Sequence, residues 1–473
     1  MLGTIKPEGK QKEVLSLPAT GHTVVLGTAG SGKTTMALLR AIGLANLPSH
    51  PNVLIVTFNG ALIQYMSAIN NTSLRNLRIE TYHKFARGYL NSLGKMPARN
   101  GILNSEGKEY YIGQALEVAK KVWPGESTFK RPVSIFIDEI TFMERFGIES
   151  LDNYIKAERI GRASVNIKRE NRKWFFKIYE DYLTLRAKDQ KPYDWDDIAL
   201  YVFKELQSDT RTRLYKHIII DEGQDFSPMM IKSLISAAGA NGSFSFFGDV
   251  AQQIYGSRLS WRDSGINITD NKIWKFDKNY RNPAAISAFA KDITDSAYWE
   301  KDTDMIAPTT LIAKGPKPVL INFNNKEKEL SWLIEQVKTS ISTSSNVIIC
   351  RNRSTVDKVK NELEINGIIP TVINKDQAGF SSVKDVYLST YHAVKGLEFD
   401  NVFIPFLCDD IFPDKDILEK SSSEERALAD ELKLLYVAAT RSKYGLFMTY
   451  HGILSKLFPE GSTNYDKASG EDL

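Results

Sequence analysis

Cysteine is scarce in this sequence. Cys350 and Cys408 are the only two in 473 residues. Two thiols exclude a disulfide scaffold and a Cys-rich zinc module, and they suit a reducing compartment. Long apolar runs are also missing. None approaches the ~18 residues of a membrane helix, so no membrane partner is expected. Met1–Pro7 lacks an apolar signal-peptide core, and a cytoplasmic location is the expectation. Charge of one sign is not in excess: 61 Lys and Arg face 57 Asp and Glu, a net of +4. Any nucleic-acid contact must therefore come from a local groove rather than a polybasic coat. No internal repeat of roughly 20–50 residues is visible. What remains is ordinary for a globular protein, with 42% hydrophobic and 25% charged residues. At about 100–200 residues per domain, the length suggests two or three domains.

Short β-branched runs alternate with helical patterns, which predicts α/β architecture with parallel sheets. The expected strands are Thr23–Leu26, Val53–Thr57, Ser134–Ile137, His217–Ile220, Ser243–Phe247, Val319–Phe323, Asn346–Cys350, Val386–Thr390, Asn401–Ile404 and Gly445–Thr449. Residues 90–192 read as a mainly helical insertion. The expected division is 1–89 and 193–285 for the first α/β domain, 286–458 for the second, and a frayed tail at 459–473. The insertion carries a basic run of Lys156, Arg159, Arg162, Lys168, Arg169, Arg172, Lys173 and Lys177 around Trp174. It reads equally as a strand-gripping surface or a solvated helix face. Asp196 and Asp197 are expected to cap a helix where the chain returns to the first domain.

Gly27-Thr28-Ala29-Gly30-Ser31-Gly32-Lys33-Thr34 matches G-x-x-x-x-G-K-[ST] between an expected strand and a helix that includes Thr35. Glycines let backbone N–H groups wrap phosphate, and the helix N-terminus adds positive potential. Lys33 is expected to reach the β/γ-phosphates, and the Thr34 hydroxyl to ligate Mg2+. The buried run Ile218–Ile220 ends in Asp221-Glu222-Gly223-Gln224-Asp225. Asp221 is expected to hold the same Mg2+, and Glu222 to take a proton from the attacking water.

From that string onward the chain resembles superfamily 1A helicases of the UvrD/Rep/PcrA group, with motifs in family order over nearly the whole length. Gln11 resembles the adenine-reading glutamine. Val56–Asn59, Thr81–Phe85, Gly248–Tyr255, Asn279–Asn282, Thr390–Phe399 and Leu435–Arg441 resemble successive helicase motifs. The resemblance implies two RecA-like domains that bind ATP and Mg2+ between them. It implies that Gln252 senses the γ-phosphate, that Arg281 and Arg441 are arginine fingers, and that Tyr280 stacks on adenine. It also implies that Gly396 and Glu398 meet the nucleotide from the second domain. By motif position, Phe58, Tyr82 and Tyr255 are candidate base stackers. Thr57, Asn59, Thr81, His83, Arg351, Thr390 and His392 are candidate phosphate or sugar contacts.

Two departures stand out. Where larger relatives carry the 2B accessory domain, only Lys375–Ser382 separates flanking strands. Ser257 occupies the place of a family stacking tryptophan, for which Trp261 is the candidate substitute. The expected activity is ATP-dependent movement on single-stranded or tailed DNA, 3′→5′ as the family implies. The rival is a DNA-stimulated regulatory ATPase that serves a nuclease or another repair or defence protein, by analogy with small UvrD-like components of anti-phage systems. No nuclease signature is present in the sequence.

Overall fold

The computed structural model describes residues 7–28, 30–58, 63, 66, 74–96, 101–159, 167–249, 264–267, 273–276, 278–279, 283–299, 310–311, 315–373, 385–421 and 423–472. Along the first half run α1 (Lys10–Leu15), β1 (Gly21–Gly27), α2 (Lys33–Ala45), β2 (Val53–Thr57), β3 (Leu77–Thr81) and α3 (Tyr82–Ser92). The insertion follows as α4 (Ser105–Val122), α5 (Val133–Phe146), α6 (Leu151–Lys156) and α7 (Arg172–Lys188). Then come α8 (Ile198–Ser208), β4 (Tyr215–Ile220), α9 (Pro228–Ala237), β5 (Ala238–Gly248) and β6 (Ile273–Phe276). These six strands form one parallel sheet in the order β3-β2-β4-β5-β1-β6.

The second half holds α10 (Ala284–Thr294), β7 (Val319–Phe323), α11 (Lys326–Ser340), β8 (Asn346–Cys350), α12 (Arg353–Ile365) and β9 (Thr371–Ile373). It continues with β10 (Val386–Thr390), β11 (Phe399–Ile404), α13 (Lys415–Lys420), α14 (Glu424–Ala439), β12 (Ser442–His451) and β13 (Asp466–Ser469). Its seven strands are parallel in the order β9-β10-β8-β11-β12-β7-β13. Helices cover both faces, so the central strands are buried throughout, as their unbroken β-branched runs require. Val53, Leu54, Ile55 and Val56 are all fully buried. The α/β expectation with two parallel sheets therefore holds.

Two expected features differ. Ser134–Ile137 lies inside helix α5, not in a strand. Phe136, Ile140 and Met143 recur at helical spacing and are fully buried. The apolar period outruns the short β-branched stretch, and length decides between the two. The tail is also not frayed throughout. β13 pairs with β7 from Val319↔Asp466 to Asn322↔Ser469. Tyr465 packs against Phe458 and Phe289, with ring centroids 5.2 and 5.8 Å away. One aromatic anchor and a backbone ladder order a segment whose composition is polar.

The insertion has its own core, in which Phe136 stacks on Phe175 at 4.5 Å. Part of the basic run is engaged within it, while Lys156, Lys168, Arg169 and Lys173 are exposed. Arg159 pairs with Glu139 at 2.8 Å. Arg172 donates to the carbonyls of Tyr154, Ile155 and Ala157. Lys177 bonds Asp181. Arg162 lies outside the described residues.

A buried ionic network docks the insertion where the chain re-enters the first domain. Lys108 meets Glu144, Asp194 at 3.3 Å and Asp196 at 2.9 Å. Arg186 meets Asp194 at 3.2 Å and also Asp197. Neither Asp196 nor Asp197 caps α8 with its side chain, contrary to expectation. Asp197 occupies the N-cap position, but its carboxylate accepts from Arg186 and from the Asp194 N–H. Asp196 instead pairs with Lys108 and Arg145. Guanidinium and ammonium groups buried nearby outcompete a helix end for these carboxylates. Removing one member of such a network strands the others. Lys108→Met is therefore expected to lower the unfolding free energy by about 3–5 kcal/mol in urea denaturation. An unchanged midpoint would show that the network does not hold the insertion.

Candidate nucleotide and nucleic-acid sites

The carboxyl edge of a parallel sheet gathers whatever follows its strands. Here the glycine loop follows β1, Asp221 and Glu222 follow β4, and Asp249 follows β5. Gly30 and Gly32 have φ of 78° and 84°, the left-handed region that glycine enters without strain. A Cβ on Gly27 would sit 2.5 Å from Ser31 Oγ and 3.0 Å from Phe276 Cβ, so the loop admits no side chain there. Gln11 closes the loop from α1: its amide donates to Ser31 O at 3.1 Å. Arg40 braces α2 from behind by donating to Ser245 Oγ and to the carbonyls of Val14, Leu17 and Pro18. Burial lowers its pKa to about 10.

Lys33 opens α2 with its ammonium turned into the loop. It donates to Gly27 O at 2.8 Å and Thr28 O at 2.7 Å, and lies 3.7 Å from Asp249. Asp221 is completely buried, and among the described residues neither carboxylate oxygen meets hydrogen-bond geometry with a partner. The Thr34 hydroxyl lies close enough to favour its charged form. Burial, and then the neighbouring Glu222 charge, nevertheless push the Asp221 carboxyl up to about 7. An orphaned buried carboxylate beside a hydroxyl is a donor set for a hard cation such as Mg2+. Thr28 Oγ1, also buried and unbonded, lies in the same loop.

Glu222 is the opposite case. Its backbone sits at φ 54°, ψ 42°, a region sparsely used by non-glycine residues and met at functional sites. Burial alone would raise its pKa, but Lys395, Lys33 and Arg441, with a hydrogen bond from Gln224, outweigh burial and lower it. Gln224 donates to Glu222 at 2.5 Å and accepts from the Asp249 N–H at 2.8 Å, tying the two strand ends together. Gly223 and Gly248 both press on Phe246, and a Cβ on either would come within 2.7 Å of its ring.

Two of those three cations come from the second sheet. Lys395, in the turn after β10, donates to Asp225 at 2.6 Å, and both are buried. Arg441, just past α14, is 1% exposed and is held by Val437 O at 2.8 Å and Thr440 Oγ1 at 3.0 Å. Tyr436, on α14, feels the Asp249 charge. Residues after β4 and β5 therefore share one buried space with residues after β10 and α14. Lys395 was not among the expected site residues. It lies inside the Thr390–Phe399 string, and a lysine in a segment already assigned to the nucleotide cleft was the available signal. Gly396 has φ 82°, which suits the turn, and Glu398 pairs with Lys443 at 3.4 Å. Thr35 lies in the first turn of α2. Ala29, Gln252, Tyr280 and Arg281 lie outside the described residues.

The expected nucleic-acid contacts divide. Phe58 and His83 are half-buried and meet edge to face at 5.8 Å, and Trp195 meets His83 at 4.9 Å. Trp195 is 37% exposed and extends this row to the surface. It stands within the Asp194–Ile198 element, where an exposed aromatic between acids was the overlooked signal. Thr81 caps α3 by accepting from Lys84 N at 3.3 Å. Thr390 accepts from Ala393 N at 3.3 Å, and His392 is half-buried.

Three expected contacts are corrected. Tyr82 has no exposure and its hydroxyl bonds Ser233 at 2.7 Å, so its ring is core and cannot stack on a base. Thr57 is fully buried, hydroxyl included. Arg351 is 5% exposed and grips Glu431, donating to it at 2.6 Å through Nε, so it offers no free charge to phosphate. Asn59, Tyr255 and Trp261 lie outside the described residues, as does Lys375–Ser382.

A glycine loop on one parallel sheet, facing cations carried by a second, defines a P-loop protein with two RecA-like units. Residues 8–277 match the UvrD/REP helicase N-terminal domain family, and 274–382 with 369–452 match the UvrD-like helicase C-terminal domain family. The chain belongs to the UvrD/REP helicase family. It is 24% identical over 456 residues to a probable DNA helicase of Mycoplasma pneumoniae, covering 90% of this chain and 80% of that one. It is 24% identical over 349 residues to the putative ATP-dependent DNA helicase YjcD of Bacillus subtilis, covering 69% and 43%. The ATP-dependent DNA helicase Rep of Buchnera aphidicola is 29% identical over 159 residues, covering 34% and 21%.

Asp221 carries a measurable consequence. Its unfolded pKa is about 3.9, and its folded value is about 7. Between these the native state keeps a proton that the unfolded chain has lost. Its burden on stability therefore grows as pH rises from about 4 to about 7 and stays full above. Asp221→Asn should stabilise the protein at pH 8, on the order of 4 kcal/mol in urea denaturation, and change little at pH 4. Equal effects at both pH values would remove the assignment.

Proposed function

We propose that this protein is an ATP-driven motor on single-stranded DNA that hydrolyses Mg2+-bound ATP in the cleft between its two sheets and moves 3′→5′. The observation that carries the reading is the composite cleft, in which the second sheet sends Lys395 and Arg441 to Asp225 and Glu222 of the first. Polarity rests on the family resemblance.

Lys33, released from the loop carbonyls, reaches the β/γ-phosphates. Thr34 and Asp221 would hold Mg2+, which would supply positive charge to the transferring phosphoryl group. Glu222, kept ionised by its cations, accepts the proton of the attacking water. Arg441 stabilises charge that develops on the γ-phosphate, and Arg281 is assigned the same role by motif position. Gln11 reads the adenine edge. Phe58 and Trp195 offer stacking faces for bases, a grip that tolerates any sequence.

Lys33→Ala and Glu222→Gln are each expected to abolish DNA-stimulated ATP hydrolysis, with ATP binding kept in the second. Arg441→Ala should cut kcat by about 10³ or more. Full turnover in any of the three would overturn the mechanism. Duplexes with 3′ or 5′ tails test the direction. Hydrolysis on single strands with neither duplex separated would favour the regulatory ATPase reading, which the short Lys375–Ser382 segment supports.

The aromatic row gives a separate test. Phe58→Ala and Trp195→Ala should each weaken single-strand binding by about 1–3 kcal/mol in fluorescence anisotropy. Tyr82→Phe should leave binding unchanged and cost only about 1 kcal/mol of stability through the lost hydroxyl bond. A Tyr82→Phe variant that binds DNA poorly would contradict its placement in the core.

A further inference from the structure

The carboxyl edge of the second sheet holds a cluster that the nucleotide cleft does not use. Glu329 lies in the first turn of α11, Cys408 in the loop after β11, and His451 at the end of β12. One carboxylate oxygen, one thiol sulfur and one imidazole nitrogen lie within 4.8 Å of one another. Cys408 Sγ is 3.4 Å from His451 Nδ1, and Nδ1 is 2.5 Å from Glu329 Oε2. Sulfur and nitrogen ligands of one zinc ion stand roughly 3.5 Å apart, given Zn–S of ~2.3 Å and Zn–N of ~2.0–2.1 Å, whereas nitrogen and oxygen ligands stand about 3.4 Å apart, so the His451–Glu329 pair is a hydrogen bond that opens as an ion enters.

We propose that Glu329, Cys408 and His451 bind one Zn2+-like divalent ion, which clips the α11 start to the ends of β11 and β12.

The surroundings are arranged as metal sites require. Ligating carboxylates are oriented by further hydrogen bonds. Glu329 Oε1 accepts from the Phe406 N–H at 2.8 Å and from the Thr449 hydroxyl, which aims Oε2 at the imidazole. The Cys408 backbone is fixed by its bridge to Leu454 and by flanking bonds from Leu407 N to Thr449 O and from Asp409 N to Ile453 O, both 2.9 Å. Glu329 is fully buried, while the His451 side chain is 18% exposed and leaves a path for the ion and a water as fourth ligand. The set of one thiolate, one imidazole and one carboxylate suits zinc or cobalt rather than magnesium or calcium.

On binding, the Cys408 S–H bond breaks, its proton passes to solvent and an S–metal bond forms. One thiolate and one carboxylate then balance the two positive charges of the ion. Binding also turns a buried thiol, which burial otherwise pushes up to about 12, into a neutralised ligand. The ligands are 43 and 122 residues apart in sequence, so no spacing pattern announces them.

Cobalt reports the site directly. The full chain, freed of metal by chelator dialysis, is titrated with Co2+ and read for a near-ultraviolet thiolate-to-cobalt band and tetrahedral visible bands. Saturation at one Co2+ per chain and displacement by Zn2+ are expected. Cys408→Ser and His451→Gln should each abolish the bands with the circular dichroism of the fold retained. Glu329→Gln should weaken binding about tenfold or more, and Cys350→Ala, which removes the other buried thiol, should keep the bands. No band in the parent protein would overturn the proposal. So would a band that survives Cys408→Ser or His451→Gln, or one lost with Cys350→Ala.

Discussion

Two carboxylates in sequence, Asp221 and Glu222, are both buried at the end of β4. A low-dielectric site cannot hold two adjacent negative charges without cations aimed at them, so the pair divides its proton unevenly. Glu222 stays ionised because Lys33, Lys395 and Arg441, among the described residues, face it, while Asp221 drifts toward neutrality. Only Lys33 belongs to the same sheet. Lys395 and Arg441 belong to the other. The ionisation state of Glu222 is thus a property of both sheets together. Moving them apart withdraws the support of Lys395 and Arg441, so cleft geometry and proton affinity change as one. The left-handed backbone at Glu222, held by Gln224 bridging to Asp249, keeps the side chain at that junction rather than back over its own strand.

Much of this was legible in the sequence because it is written in contiguous strings. A glycine loop between a strand and a helix, and acids directly after a buried strand, imply their geometry locally. Nine of the ten expected strand runs fall within strands, since β-branched stretches buried on two faces have few alternatives. Leu77–Thr81 and Ile273–Phe276 escaped because they mix charge into short strands at the two edges of the sheet. Lys395 escaped for another reason: its partner lies 170 residues away, and a single string cannot show a pairing across two sheets. Motif position also fails to tell which way a side chain turns. Thr81 caps α3, which rolls Tyr82 inward and leaves His83 on the rim. Arg351 directly follows β8, yet Glu431 on α14 claims it.

The insertion teaches a related lesson about charge. Counted along the chain, its basic run resembles a grip for a polyanion. In three dimensions Arg159 and Arg172 serve Glu139 and backbone carbonyls, as mortar between helices. The acids after residue 193 likewise spend their charge on Lys108, Arg145 and Arg186. This network makes the joint between insertion and first sheet ionic, while the interior of each is apolar. Such a joint fixes orientation more strictly than oily packing does, because each charge accepts few partners and few angles.

β13 has a bearing on how the molecule behaves in company. Without it, β7 would present an unsatisfied row of amides and carbonyls to the outside, a ready template for a neighbouring chain. Four residues near the carboxyl terminus cover that rim, and Gly470 lets the chain pass close over Phe323 because a Cβ there would sit 2.2 Å from the ring. Colloidal behaviour at high concentration is therefore entrusted to a short polar appendage, far in sequence from the glycine-rich loop after β1.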